Sequence, residues 1–118
     1  MDSQRLLERF MSPLLAGNRQ ECRDVLSQAI ADGKQAEQLL RHTVWPAMEA
    51  VAHLYRQDRI NLATEHMATR INRTIVDQLQ PHLSQKEPNG KQILITCADG
   101  EPEELGAQMC ADLFEAEG

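Results

Sequence analysis

The sequence predicts a mainly α-helical fold, a four-helix bundle followed by the first strand, loop and helix of an α/β domain. Apolar residues recur every three to four positions between residues 6 and 79, which is the spacing of core-facing helical stripes. Aromatic residues make up only 3% of the 118 residues, so the core must be aliphatic. An aliphatic core with this periodicity favours a helical bundle over a β-sandwich.

The first two helices are bounded by capping residues. Asp2 or Ser3 can cap a first helix that ends near Gly17. Asn18 followed by Glu21 resembles a capping box at the start of the second helix, and a glycine at position 33 ends it.

The third and fourth helices are longer. The third is expected from about Lys34 to Arg56, with a bend at Pro46. Asn61 should cap the fourth, which runs to about Leu79. The spacing places a core-facing stripe of helix four on Ile60, Ala63, Met67, Ile71, Ile75 and Leu79. The opposite face is predicted to carry Leu62, Glu65, His66, Thr69 and Arg73.

The composition changes after the fourth helix. Residues 84–91 are polar with Pro88 and an Asn-Gly pair, as in a linker. Residues 92–97, QILITC, are typical of a β-strand, and a helix is expected from about Glu103 to Glu117. We therefore expect a bundle domain at 2–83, a linker at 84–91 and the start of an α/β domain at 92–118. One strand cannot bury both faces of a parallel sheet, so this domain should be truncated or completed by another chain.

The net charge and the cysteine content argue against several classes of function. A net charge of −6 argues against direct nucleic-acid binding, which needs a basic face. No stretch resembles a signal peptide or a membrane span, so we expect a cytoplasmic protein without a membrane role. The three cysteines have no zinc or disulfide spacing, and Cys22 and Cys110 are expected to be small buried residues.

A motif at the junction of helices three and four resembles a known family. Tyr55, nine further residues and then Glu65-His66 resemble the helical cap of cobalamin-binding modules, most closely the light-sensing MerR-type repressor photoreceptors. That group has Trp where this chain has Tyr55. The resemblance implies that Tyr55, Leu62, Glu65 and His66 cover the upper face of a corrin, with His66 as a candidate metal ligand.

A second resemblance lies in the run Glu101 to Gly106, EPEELG. Cobalamin domains carry Asp-x-His-x-x-Gly here, and the histidine is the lower axial ligand of cobalt. Glu103 stands at the histidine position, and Gly106 retains the small residue. A carboxylate is a hard ligand and a poor substitute for imidazole on cobalt. The implied cofactor is cobalamin, held in part by Glu103 and Gly106, with haem or another tetrapyrrole as the alternative.

The resemblance implies a ligand-binding sensory or regulatory module rather than an enzyme, acting through a regulatory protein partner or a homo-oligomer. No catalytic triad, phosphate loop or dinucleotide fingerprint is present. Two alternatives stay open, a corrinoid carrier protein of a methyltransferase system and a vestigial module kept for protein contacts. Simple readings also stay open for single residues, such as a solvated Glu65–His66 pair, packing for Tyr55 and a solvated face for His42, Glu49 and His53.

Overall fold

The regular secondary structure of the chain, in a computed structural model that describes residues 2–98 and 101–118, is entirely helical. Helix α1 spans Asp2–Ala16 and α2 spans Arg19–Ala31. Helix α3 runs without a break through Ala36–Leu39, a π-helical segment Leu40–Val44 and Trp45–Arg56. Helix α4 spans Leu62–Leu79, and a 3₁₀ turn, Gln80–His82, follows it. Helix α5 spans Glu101–Ala116.

Helices α1 to α4 pack around one aliphatic core, as the periodicity predicts. The apolar stripe of each helix points inward and supplies fully buried side chains, among them Phe10, Leu14, Leu26, Val44, Ile75 and Leu79. Removing this apolar surface from water is the main favourable term in folding. The helical bundle predicted from sequence is therefore confirmed.

The bend expected at Pro46 takes the form of a π-helical segment. Proline has no backbone N–H, and its ring crowds the carbonyl four residues earlier, so the regular ladder cannot continue. The Trp45 N–H donates to the Leu40 carbonyl five residues back, which is the π-helical pattern. The extra residue in this turn keeps α3 continuous while moving Trp45 out of the core, and its side chain is 42% exposed.

The buried face of α4 is wider than its sequence predicts, and two residues assigned to the outward face are buried. Glu65 and Thr69 are buried, whereas Ala63 is exposed and Met67 is half-buried. The prediction considered one apolar stripe. In the structure α4 packs against α1, α2, α3 and α5, and these neighbours together cover more than one stripe of the helix.

The strand expected at residues 92–97 does not form, and that prediction is wrong. These residues have no regular secondary structure, and Leu94 is 88% exposed. A strand needs a neighbour for its backbone hydrogen bonds, whereas a helix satisfies most of its own. No strand is available within the described ranges, but α5 forms close to its expected bounds.

The polar residues before this segment are anchored to the end of α5. The Lys86 N–H donates to the Ala116 carbonyl at 2.7 Å, and the Asn89 N–H donates to the Gly118 carbonyl at 2.9 Å. Residues 84–91 are otherwise without regular structure, as a linker should be, although Leu83 before them is buried. The domain boundaries at 83 and 91 stay predictions.

The sequence predicts that Cys22 and Cys110 are buried, and the structure confirms this for one of them. Cys22 is buried in the core, as expected. Cys110 is exposed, so the prediction of a buried side chain there is wrong. The reason is its place on α5, where Leu105 and Met109 form the buried face and residue 110 lies beside it. No helix within the described residues is long and apolar enough to cross a membrane.

The two phenylalanines provide a matched test of the core. Phe10 is fully buried, and Phe114 is 55% exposed. Phe10→Ala should lower the free energy of unfolding by about 3–5 kcal/mol, because it leaves a cavity among packed neighbours. Phe114→Ala should cost less than about 1 kcal/mol. Urea unfolding followed by circular dichroism measures both, and equal losses for the two variants would contradict this core.

Asp112 on α5 provides a pH-dependent test. Its pKa is raised above the ordinary value by burial first, and then by the nearby negative charges of Glu115 and Asp77. One carboxyl oxygen, Oδ2, is buried without a hydrogen-bond partner. The folded state therefore binds the Asp112 proton more tightly than the unfolded state does. Protonated Asp112 adds to the free energy of unfolding at low pH, and this contribution is lost as the pH rises through the pKa that Asp112 has in the folded state.

Asp112→Asn should consequently raise the urea midpoint at pH 7, with a smaller gain as pH falls below about 4, where the unfolded carboxyl is also protonated. Asp24→Asn, at an exposed site on α2, is the control and should change the midpoint little at either pH. A gain for Asp112→Asn that is the same at pH 3 and pH 7 would show that charge is not its cause.

Candidate ligand-binding site

A tight corner joins α3 to α4 and places Tyr55 beside the start of the next helix. The Asp58 N–H donates to the Tyr55 carbonyl at 3.0 Å, and the Arg59 N–H donates to the Leu54 carbonyl at 2.9 Å. Asp58 has a φ of 58°, a left-handed conformation that aspartate tolerates better than most residues. These bonds end α3 within one turn of Tyr55 and reverse the chain into α4.

The cap of α4 fixes where its first turn lies. The Asn61 side-chain Oδ1 accepts a hydrogen bond from the Thr64 N–H at 2.8 Å, as the sequence predicts for an N-cap. Leu62 is the first residue after this cap, and its side chain is 49% exposed. Tyr55 is 39% exposed, so the corner presents an aromatic and an aliphatic side chain to solvent.

Glu65 and His66 form a carboxylate–imidazole pair one turn into α4. Glu65 Oε2 lies 3.4 Å from His66 Nε2. The Glu65 side chain is only 10% exposed, whereas that of His66 is 52% exposed. A buried carboxylate that faces one ring nitrogen orients the imidazole and leaves the other nitrogen available. This is the arrangement by which outer carboxylates position metal-binding histidines.

Helix α5 packs against α4 beyond this pair. Arg73 Nη2 lies 2.5 Å from Glu104 Oε2, and Gln108 Nε2 donates to Asp77 Oδ1 at 2.6 Å. Arg73 is seven residues after His66, so the first turns of α5 meet α4 about 10 Å farther along its axis. The Glu103 side chain lies outside the described part of the chain, and the structure leaves its predicted role untested.

Gly106 lies in a groove between α3 and α5 rather than beside Glu65 and His66. A Cβ built on Gly106 would lie 3.4 Å from Cζ3 of Trp45, so the glycine allows close approach of the indole. The groove has a volume of about 520 Å³ and is lined mainly by Trp45, Met48, Ala52, Gly106 and Cys110.

The position of Trp45 in this groove was not predicted from the sequence. The signal was its spacing, since Trp45, Met48, Ala52 and Tyr55 recur at three-to-four intervals on α3. This stripe leads from the groove to the corner. The structure thus places Tyr55 at the end of α3 and Leu62, Glu65 and His66 on the first turns of α4, and it places Gly106 at the far end of the α3 stripe.

A second cleft, of about 670 Å³, opens on the other side of His66. Its wall includes Arg19, Met67 and Arg70, and the turn at Gly17 closes one end. By contrast, His42 and His53 are exposed on α3, and the described residues contain no cluster of three metal-ligating side chains. A three-residue metal site around Glu49 is therefore not assembled there.

A comparison with family models shows the family to which this chain belongs. The model described as the B12 binding domain matches residues 6–80, which covers α1 to α4. The chain belongs to this family. It is a cobalamin-binding module, and residues 6–80 form the helical part that carries the corner motif. No curated protein gives a significant match.

The residues of this B12 binding domain fit one face of cobalamin. The exposed Tyr55 ring and Leu62 suit the broad apolar plane of a corrin, and the oriented His66 imidazole suits a metal or an axial group. All four histidines lie at or before residue 82, and none is on α5. Residues 101–118 therefore offer cobalt no imidazole.

The cap at Asn61 holds the first turn of α4 and can be tested directly. Asn61→Ala should lower the free energy of unfolding by about 1 kcal/mol, because the Thr64 N–H loses its acceptor. Asn61→Asp keeps an acceptor and should restore most of the loss. Urea unfolding measures both. If the alanine and aspartate variants unfold at the same midpoint, the cap does not stabilise this corner.

Proposed function

We propose that this chain is the cobalamin-binding part of a sensory or regulatory protein, with the upper face of the corrin against Tyr55, Leu62, Glu65 and His66. The observation that carries the proposal is the α3–α4 corner, where Tyr55 and Leu62 are exposed and a buried carboxylate holds the imidazole of His66. The family match supports cobalamin as the ligand.

Each residue at the corner has a separate task in this proposal. Tyr55 and Leu62 bury their exposed apolar surface against the corrin plane, which excludes water from it. Glu65 holds the imidazole through the 3.4 Å contact, and His66 would be the residue that offers a ring nitrogen to the metal or to a group on it. When bound, cobalamin would supply a cobalt centre that can exchange a ligand.

A sensory role is supported better than a catalytic one. The corner holds one imidazole and one carboxylate, and neither is arranged with a nucleophile. The likeness of the corner motif to photoreceptor repressors supports a role in which ligand state controls association with a partner. The net charge of −6 favours a protein partner over nucleic acid.

The test is a titration followed by ultraviolet-visible absorbance. Methylcobalamin should bind, with a shift in the corrin bands, and haem should give no Soret shift. Leu62→Glu should weaken binding at least about tenfold, since it places a charge against an apolar plane. Leu94→Glu is the matched control, because Leu94 is more exposed and lies outside the corner. It should change the dissociation constant less than about twofold.

A Soret band instead of corrin bands would identify haem, rather than cobalamin, as the ligand. If Leu62→Glu and Leu94→Glu bind alike, the corner is not the contact surface. If neither ligand binds, this chain does not bind a tetrapyrrole by itself, and the vestigial reading takes over.

The aromatic position gives an independent prediction. Tyr55→Trp should strengthen methylcobalamin binding by a few-fold, about 0.5–1 kcal/mol, because indole offers a larger stacking surface than phenol. Tyr55→Ala should weaken it by more. An unchanged affinity for methylcobalamin in both variants would show that Tyr55 does not contact the ligand.

The regulatory part of the proposal is tested by sedimentation. The chain with and without adenosylcobalamin is compared in darkness and after illumination. A sensor should change its association state with ligand or with light. An association state that is the same in all four conditions, together with tight binding, would favour the corrinoid carrier.

A further inference from the structure

Two exposed thiols open on the groove between α3 and α5. Cys97 and Cys110 are both free and exposed, and both line this groove of about 520 Å³. Cys22 lies elsewhere, buried in the core, where burial and then the charge of Glu21 raise the pKa of its thiol to about 11. The thiolate is the reactive form, so Cys22 is inert beside the other two.

Chain geometry allows the two groove thiols to meet. Cys110 lies nine residues into α5, about 14 Å from its first residue. Four peptide links separate Cys97 from Glu101, and an extended chain of that length spans up to about 14 Å. Cys97 can therefore lie alongside Cys110, at the Cα separation of about 4.4–6.8 Å that a disulfide requires. Residues 92–98 have no regular secondary structure that would resist the adjustment.

We propose that Cys97 and Cys110 are a redox-active pair that closes to an intramolecular disulfide. The oxidant is a low-molecular-weight disulfide, for which oxidised glutathione serves as the probe. One thiolate attacks a sulfur of the oxidant, forms a mixed disulfide and releases one glutathione thiolate. The second thiolate attacks the protein sulfur of that mixed disulfide and releases the second glutathione. The two cysteines lose two electrons and two protons, and one oxidant molecule yields two reduced thiols.

The disulfide would hold residues 95–97 across the groove. Ile95, Thr96 and Cys97 line this groove together with Trp45 and Ala52. A covalent link to α5 would fix these three residues in the groove that Trp45, the only tryptophan in the chain, also lines. Oxidation therefore reduces access of solutes to this face of α3, and Trp45 fluorescence reports it.

The experiment treats the whole chain with oxidised glutathione and follows it by intact mass and by thiol titration without denaturant. The wild type should lose two hydrogen masses, and its two accessible thiols should disappear. Cys22→Ser is the matched control and should behave identically. Cys97→Ser and Cys110→Ser should each stop at one glutathione adduct, because no second thiol can resolve it. Acrylamide quenching of Trp45 should fall on oxidation in the wild type and in Cys22→Ser, but not in Cys97→Ser or Cys110→Ser.

Three results would overturn the proposal. Stable double glutathione adducts on the wild type would mean that the thiols do not meet. A linked dimer on a non-reducing gel would mean that the pairing is between chains. Equal acrylamide quenching of Trp45 before and after formation of the intramolecular disulfide would show that the disulfide does not cover the groove.

Discussion

Burial of α4 on several sides is the constraint on which the rest of the structure depends. This helix packs against α1, α2, α3 and α5, and its residues Ile75, Val76 and Leu79 are fully buried. A helix so enclosed has little freedom to rotate or slide, because each small shift would open cavities against several neighbours. The corner residues sit on its first turns, and their positions follow from packing farther along the same helix.

The enclosure of α4 also lowers the free energy of unfolding, because polar residues of this helix are buried. Asn72 is fully buried, and its side-chain oxygen and nitrogen have no hydrogen-bond partner. An unsatisfied buried polar group costs about 1–3 kcal/mol. Glu65 is also buried, but it has the His66 imidazole as a partner at 3.4 Å. A core selected for stability alone would carry apolar residues at both positions, and the proposed role of Glu65 in orienting His66 would account for the carboxylate at position 65.

The features that the sequence predicts well are those determined by near neighbours in the chain. The caps at Asn18 and Asn61 form as expected, since a cap needs only the next few backbone N–H groups. Burial of Glu65 could not be predicted in this way, because it depends on helices distant in sequence. The strand at 92–97 fails for the same reason, since its β-branched residues favour extended backbone but its hydrogen bonds need a second strand.

The candidate site also has parts that depend on residues close in sequence and parts that depend on distant residues. The start of α4, which places Glu65 and His66 on its first turns, was predicted from sequence because the cap at Asn61 is local, whereas the roles of Tyr55, Glu65 and His66 in ligand binding stay predictions. The groove beside Trp45 was missed, because it exists only where α5 returns to α3.

Helix α5 connects the groove to α4, the helix whose first turns carry the corner residues. Its buried residues Leu105 and Met109 anchor it in the core, while Gly106 and Cys110 face the groove. Its contact through Glu104 reaches Arg73 on α4, the helix that carries His66. Any change at the groove that moves α5 must act on α4 through these contacts, because coupling between sites is carried by elements that both sites bias. The proposed ligand face on α4 and the proposed thiol pair at α5 are therefore linked by the contacts between these two helices.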